Sequence, residues 1–395
     1  MRFQEFTSLM KKRGPAPGPS GRLGRCRNIQ ELRLEARRFL PPVVFDYVDG
    51  GAEDELTLRR NSAAFHDLDL LPRALRDVGE VDLRTEILGC PSALPFALAP
   101  TGATGLVRSG GEVDVAAVAG GLGIPCTLST MSSRPVEQVA AAATGPLWFQ
   151  LYVFRDHGRA RELIARARAA GCKALMVTVD SAVGGRRERD VGHGSTLPPT
   201  IGARTILDGL LRPRWSYQFL RGPVPTLGHL GDDGVRPPTP SPGAIGRMDP
   251  TLNWSDLEWI TEAWGGPVVV KGIMTAADAK EAADLGVRGV VVSNHGGRQL
   301  EGAPATIEAL GEVVDAVGDR VEVLLDSGIR RGGDIVRALA IGARGCLIGR
   351  PFLYGYAAGG RAGIEYAVGL LAAEVRRTMS LMGVRSVGEL DRSFV

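Results

Sequence analysis

Short apolar runs, each closed by a polar residue or a glycine, alternate with helix-period segments through most of the chain. The runs cover residues 96–100, 125–129, 147–153, 174–180, 268–272, 290–294, 321–326 and 345–350. Eight strand-length runs interleaved with helical patterns predict an α/β chain of the (β/α)8 TIM-barrel class. Ahead of them, residues 28–65 read as helical with an interruption at Pro41-Pro42. The connection from Asp180 to Val268 is far longer than a crossover needs, so a long insertion is expected after strand 4, mobile over about residues 190–250. Its middle, GDDGVRPPTPSPGAIG, reads as mobile loop, and residues 254–264 as the delayed fourth helix.

Composition narrows the picture. A chain of 395 residues, 44% hydrophobic and 23% charged, can bury one large core or two ordinary ones. The first 27 residues are basic, contain PAPGPSG and read as a flexible tail; residues 28–395 then form the barrel domain. A net charge of +3 gives no argument for nucleic acid. No apolar run is long enough to span a bilayer, and the N-terminus lacks the apolar core of a secretory signal, so a cytoplasmic chain, at most peripheral to a membrane, is expected. The five cysteines form no CxxC and no metal-ligand spacing, so neither zinc nor disulfides are expected.

Polar groups recur at the carboxyl ends of the predicted strands. Thr101 follows the first, Ser129 ends the second, Gln150 and Tyr152 lie on the third, and Thr178 and Asp180 on the fourth. Lys271 ends the fifth, His295 follows the sixth, Asp326 ends the seventh and Arg350 the eighth. Strand ends are wet, which explains any one of these. A barrel brings all eight ends to one mouth, where they become a constellation.

Two loops look built for an anion. DSGIRRGGDIVRAL opens a helix at Gly332 or Gly333, and IGRPFLYG follows the last strand. Glycine-rich loops at helix N-termini present backbone N–H groups, and barrels commonly hold phosphate after strands seven and eight, with Arg330 and Arg350 supplying charge. SNHGGRQL, residues 293–300, adds the chemistry. His295 can take a proton near neutral pH, and Arg298 offers a forked cation suited to a carboxylate. A base beside a carboxylate anchor points to the oxidation of an α-hydroxy acid.

With FDYVDGGAED, ALAPTG, LSTMS, WFQLYV, TVD followed by GRRERD, VVKGI, SNHGGRQL, DSGIRRG and GRPFLYG, the chain closely resembles the FMN-dependent α-hydroxy-acid oxidising family. That family includes glycolate oxidase, L-lactate oxidase, L-lactate dehydrogenase and mandelate dehydrogenase. The wording is most like bacterial respiratory L-lactate dehydrogenases. The resemblance runs from about Asn28 to the C-terminus, apart from the insertion. It implies FMN, with the backbone at Thr101 and Gly102 facing the flavin and Ser129, Gln150 and Thr178 hydrogen-bonding its ring. Lys271 would lie at the pyrimidine end, where its charge stabilises the reduced flavin. Asp326, Ser327 and Gly328 belong to the same cofactor wall, with Arg330, Gly349 and Arg350 on the phosphate. Tyr47 and Arg298 would bind the substrate carboxylate, Arg187 would assist, and Tyr152 would bind the hydroxyl. His295 would be the base and Asp180 would stabilise its imidazolium.

The chain departs from the family pattern at Met131, where an aromatic lid is common, at Val183-Gly184, where glycolate oxidase is bulkier, and at Gly102, where oxidases often carry alanine. These departures predict a roomier pocket. L-Lactate is the expected substrate, with a larger 2-hydroxy acid or a peptide-modifying role as alternatives. Inosinate dehydrogenases and isoprenoid isomerases share the phosphate loops but need neither His295 nor Arg298. A non-catalytic flavin scaffold would need still fewer of these groups. The resemblance also implies a homotetramer. The acceptor, quinone, cytochrome or oxygen, is not legible.

Residues 204–221 of the insertion combine Arg204, Arg212, Arg214 and Arg221 with Leu207, Leu210, Leu211, Trp215, Tyr217, Phe219 and Leu220. Basic and aromatic residues together suit a membrane interface, and Trp215 and Phe219 are its expected anchors. The same residues would equally suit packing onto the barrel or a neighbouring subunit.

Overall fold

The structure is a computed structural model and describes residues 21–192, 203–223, 227–229 and 248–395. The tail before residue 21, the GDDGVRPPTPSPGAIG segment and the Arg204 side chain lie outside the described residues. Within the stretch read as tail, Leu23 and Cys26 are buried in the core, so the packed chain begins ahead of Asn28.

Eight parallel strands close into a barrel in chain order: β1 (Phe96–Leu98), β2 (Cys126–Ser129), β3 (Leu147–Leu151), β4 (Leu175–Thr178), β5 (Val268–Ile273), β6 (Gly289–Val292), β7 (Glu322–Leu325) and β8 (Gly345–Ile348). β8 pairs with both β7 and β1, which closes the ring. The α/β barrel expected from the alternation is therefore present, and the fourth barrel helix, Asp256–Trp264, follows the insertion.

Strand periodicity explains how such apolar runs can carry a polar site. Along a strand successive side chains point to opposite faces. Trp148, Met176, Val269, Val291, Leu324 and Leu347 form the barrel interior, while Phe149, Leu175, Val177, Val270, Val290 and Val323 pack outward against the helices. Two residues beyond each interior position the same face reaches the mouth, at Gln150, Thr178, Lys271, Ser293, Asp326 and Gly349. The floor is sealed by an antiparallel ribbon, Thr85–Ile87 with Cys90–Ser92, whose Ile87, Leu88 and Cys90 join the interior cluster. The strand and helix alternation does not announce this plug.

The N-terminal helical stretch is broken twice. Asn28 caps the helix Ile29–Phe39 by accepting from the Glu31 N–H at 2.9 Å, worth about 1 kcal/mol. Pro42 sits in the first turn of Pro42–Asp49, where its missing N–H costs nothing. The second break, before Leu56–Ala63, passes through Gly50, Gly51 and two left-handed residues, Glu53 and Glu55. It leaves Tyr47 and the carbonyls of residues 47–50 over the mouth. Among its described residues the insertion carries three helices, Glu188–Gly192, Ala203–Leu210 and Pro213–Arg221.

Candidate active site

The loop after β6 owes its shape to three successive left-handed residues, His295 (φ +59°), Gly296 (+68°) and Gly297 (+71°). Only glycine takes this conformation freely, and His295 holds it at a cost of roughly 1 kcal/mol. Side chains at 296 and 297 would also meet Arg350 Nη1 at 2.6 Å and the Leu58 backbone nitrogen at 2.5 Å. The turn swings the imidazole back over the mouth. Its Nδ1 lies 2.9 Å from Asp180 Oδ1 and its Nε2 3.2 Å from the Tyr152 hydroxyl.

Asp180 stands just past β4. Burial pushes its carboxyl up, but the charge and hydrogen bond of His295, together with Lys271, more than offset this and hold it below the usual carboxylate range. Ionised, it accepts a hydrogen bond from Nδ1–H and leaves the Nε2 lone pair facing Tyr152. Burial pushes the Tyr152 phenol well up, so it stays a proton donor.

Arg298 lines the same cavity as His295 and Tyr152. Its Nη1 donates to the carbonyls of Tyr47 (2.7 Å) and Gly50 (3.1 Å), leaving the other edge of the fork for an anion. Burial, then the charges of Arg187 and Arg350, push its pKa down to about 9. Such a cluster of like charges is a demand for a carboxylate. Arg187 and Arg298 both lie over the Tyr47 ring, 5.8 and 5.2 Å from its centroid, and Arg187 is paired with Asp190 at 3.2 Å. The Tyr47 hydroxyl donates to the Gly102 carbonyl at 3.2 Å.

The remaining expected residues share the same cavity. It is lined by Thr101, Gly102, Ser129, Gln150, Thr178, Lys271, Asp326, Ser327, Gly328, Arg330, Gly349 and Arg350 along with Tyr47, Tyr152, Arg187, His295 and Arg298, while Asp180 stands behind His295. Lys271 Nζ donates to Ser293 Oγ (2.8 Å) and pairs with Asp326 Oδ2 (3.0 Å). Burial pushes this ammonium's pKa down, but Asp326 and Asp180 outweigh it and raise it. Asp326 thus acts by holding Lys271. Ser129 Oγ donates to Gln150 Oε1 at 2.8 Å, which aims the Gln150 amide into the cavity. Gln150 Nε2 and Thr178 Oγ1 are buried there without a protein partner. Orphaned polar atoms of this kind are costly, and the polar edge of a flavin ring is the sort of group that satisfies them. The residues present therefore fit FMN.

At the phosphate end the structure separates two loops that the sequence treats alike. The N-terminus of Gly332–Ile341 is already capped: the N–H groups of Arg330 and Arg331 donate to Asp334, and that of Gly332 to Glu374. The helix Arg350–Gly359 instead opens at the cavity, beside Gly328, Ile329 and Arg330. Arg350 donates to the carbonyls of Val48, Gly296 and Gly50, tying the Tyr47 segment to the His295 loop. Only its remaining N–H groups are available to an anion.

Several positioning residues escape sequence reading. Asn61 and Asn294 exchange amide hydrogen bonds at 2.8 Å in both directions, and Asn294 Oδ1 also accepts from Gly297 N–H. Gln299 donates to the carbonyls of Asp180 and Val183. Glu112 accepts from Thr104 and Ser133, joining the loops after β1 and β2. Asn294 and Gln299 lie inside SNHGGRQL, so the motif contained them, but Asn61, Asp180 and Val183, which they bind, are more than a hundred residues away. In the insertion, Trp215 and Phe219 stack at 4.8 Å and turn toward the barrel, with Trp215 Nε1 donating to the Leu106 carbonyl. Leu207, Leu210, Leu211, Tyr217 and Leu220 are the exposed large apolar residues among those described in this segment.

Barrel, cavity and base together define an oxidoreductase that works on a small anionic substrate beside a phosphate-bearing cofactor. Residues 36–395 match the model of the FMN-dependent dehydrogenase family, and the chain belongs to that family. Its cofactor is FMN. It is 45% identical over 376 residues to an L-lactate dehydrogenase of Caulobacter vibrioides, covering 92% of this chain and 96% of that one. An L-lactate dehydrogenase of Vibrio cholerae is 44% identical over 367 residues, covering 92% and 97%. Among solved structures, the monotopic membrane protein (S)-mandelate dehydrogenase superposes with a TM-score of 0.88 at 37% identity, covering 94% of this chain and 99% of that one. A mandelate oxidase mutant with (S)-mandelic acid gives 0.78 at 38% identity, covering 92% and 96%.

Proposed function

We propose that this chain oxidises an L-2-hydroxy acid, L-lactate first among them, to the 2-oxo acid. The observation that carries the reading is the His295–Asp180 pair facing Tyr152, with the open edge of Arg298 in the same cavity. Arg298, supported by Tyr47 and Arg187, binds the substrate carboxylate bidentately and fixes the α-carbon beneath His295. Tyr152, kept neutral by burial, donates to the substrate hydroxyl oxygen. His295 Nε2 removes one proton from the substrate, and Asp180 stabilises the imidazolium that results. Bound FMN, held by Ser129, Gln150, Thr178, Lys271 and the Arg330 and Gly349-Arg350 loops, supplies the two-electron acceptor. The site serves both timings, proton from oxygen with hydride from carbon, or proton from carbon first.

A larger side chain on the substrate is the second reading. It is supported by the mandelate dehydrogenase likeness and by Met131, Gly184, Leu227 and Met248 along the cavity wall. Stopped-flow reduction of the yellow enzyme by a panel of L-2-hydroxy acids separates the two. Reoxidation by oxygen or a quinone then identifies the acceptor. Failure of every 2-hydroxy acid to bleach the flavin overturns the function.

Peripheral attachment to a membrane belongs to the same proposal. Among the described residues no helix is long and apolar enough to cross a bilayer. The exposed Leu207, Leu210, Leu211, Tyr217 and Leu220 lie near Arg221, whose guanidinium covers the Tyr217 ring, and would settle at an anionic surface, within reach of a lipid-soluble quinone. The proposed assembly is a homotetramer, which light scattering tests.

A further inference from the structure

A tripeptide of the insertion is built into the active-site wall. Leu227 is buried and lines the cavity with Met131 and Met248, so the insertion and its return leg contribute two of these three apolar side chains. The Gly228 N–H donates to the Ser132 carbonyl at 2.9 Å. Any side chain at 228 would meet Arg134 C at 2.5 Å and Pro135 N at 2.6 Å, so the close approach requires glycine. His229 is fully buried, its Nδ1 is 3.1 Å from the Thr130 carbonyl, and its ring stands edge-on to Phe149 at 5.4 Å. Facing a carbonyl, Nδ1 must carry the proton. Arg159 donates to the His229 carbonyl and anchors the other side.

The two carbonyls that are gripped flank Met131. The same loop is tied to the cofactor wall, because Ser129 Oγ accepts from the Met131 N–H and the Met131 carbonyl accepts from Ala103 N–H. We infer that Leu227–His229 is a clasp on the loop after β2, in which Leu227 is a specificity-determining residue for the substrate side chain and His229 the positioning residue that holds it. The inference rests on the 2-hydroxy-acid reading above. Met131, Leu227 and Met248 give this part of the wall an apolar face, which selects an uncharged side chain on the α-carbon and limits its length.

The test uses the FMN-loaded full chain and a homologous series of L-2-hydroxy acids from lactate upward. Leu227→Ala raises kcat/KM for the longest acids relative to lactate by about tenfold, the usual worth of a methylene or two in an apolar pocket, and Leu227→Phe moves the ratio the other way. His229→Ala shifts the ratio in the Leu227→Ala direction, and His229→Asn, whose Nδ2–H replaces the imidazole donor, restores it. An unmoved ratio in Leu227→Ala, or a uniform loss across all acids in His229→Ala, overturns the proposal. If no 2-hydroxy acid reduces the wild type, the functional reading fails, and exchange of the Gly228 amide at single-residue resolution still decides the clasp. It is slow in wild type and His229→Asn and about tenfold faster in His229→Ala; equal rates overturn the clasp.

Discussion

The mouth of the barrel and the insertion after β4 use similar residues to opposite ends. At the mouth, Lys271 is held between Ser293 and Asp326, His295 between Asp180 and Tyr152, and Arg350 among three carbonyls. Lys271 is buried and aimed by strand register, while His295 and Arg350 are partly buried and aimed by the turn after β6 and the helix after β8. On the helix Pro213–Arg221 no residue is fully buried, and Leu220 is 81% exposed. Reaction geometry tolerates errors well under an ångström, so chemistry sits where the backbone cannot move. Surface contact needs area more than aim, and the insertion supplies it. The clasp at Leu227–His229 is the point where the two regimes meet.

The comparison breaks most visibly at the base. His295→Gln keeps the FMN-binding groups and should retain flavin, yet single-turnover reduction falls by about 10³-fold, within the range for loss of a positioned general base. Flavin reduction near the normal rate in that variant removes His295 from the role. Arg298→Lys comes next: a point charge cannot reproduce the fork, and kcat/KM falls by about 10²-fold, read from steady-state kinetics with retained flavin content.

Acid sharpens the contrast between the two regions. Burial holds the His229 imidazole down to about 4, below its ordinary value of about 6.5. The Thr130 carbonyl and Glu137 oppose this, while Arg166 and Arg159 add to it. A depressed histidine stabilises the folded form while neutral, so its contribution is whole above about pH 6.5 and is lost as pH falls from there toward 4. The loss is up to about 1.4 kcal/mol per pH unit. Protection of the Gly228 amide, corrected for intrinsic exchange, should decline over this window in wild type and stay level in His229→Asn.

Asn61→Leu is a smaller break. It removes one half of the buried amide pair under the His295 loop and costs about 1–3 kcal/mol in urea unfolding. On the insertion, replacing Leu207, Leu210, Leu211 and Leu220 with serine leaves turnover with a soluble acceptor unchanged and abolishes flotation with anionic liposomes. Equal flotation of both forms ends the membrane reading. Trp215 and Phe219 are the wrong residues for that experiment, because they pack on the barrel.

Much of the fold was legible because barrel strands carry their own signal. A buried run ending in a polar residue, repeated at helix-length intervals, has few other readings, and the delayed helix at Asp256–Trp264 follows from the length of the gap. SNHGGRQL announced His295 and Arg298 because a charged, glycine-rich turn directly after an apolar strand is locally conspicuous. Asn61 was not legible because its partner Asn294 is distant in sequence, and Glu112 and the floor ribbon were not because their roles, joining two loops and plugging the barrel, exist only once the barrel has closed. The helix at Gly332 looked as ready for phosphate as the one at Arg350, and Trp215 looked as interfacial as Leu220.

Sequence by itself determined the strands, their period and hence which side chains reach the mouth, because these depend on neighbours two to four residues apart. Tertiary structure alone decided how each charge is used. Glu374 and Asp334 occupy the N–H groups of one glycine-rich helix and leave the other to face the cavity. Val48, Gly50 and Gly296 engage part of Arg350, and Leu106 draws Trp215 away from solvent. A donor's role is set by the acceptor that arrives opposite it, and here those acceptors come from parts of the chain that only folding brings together.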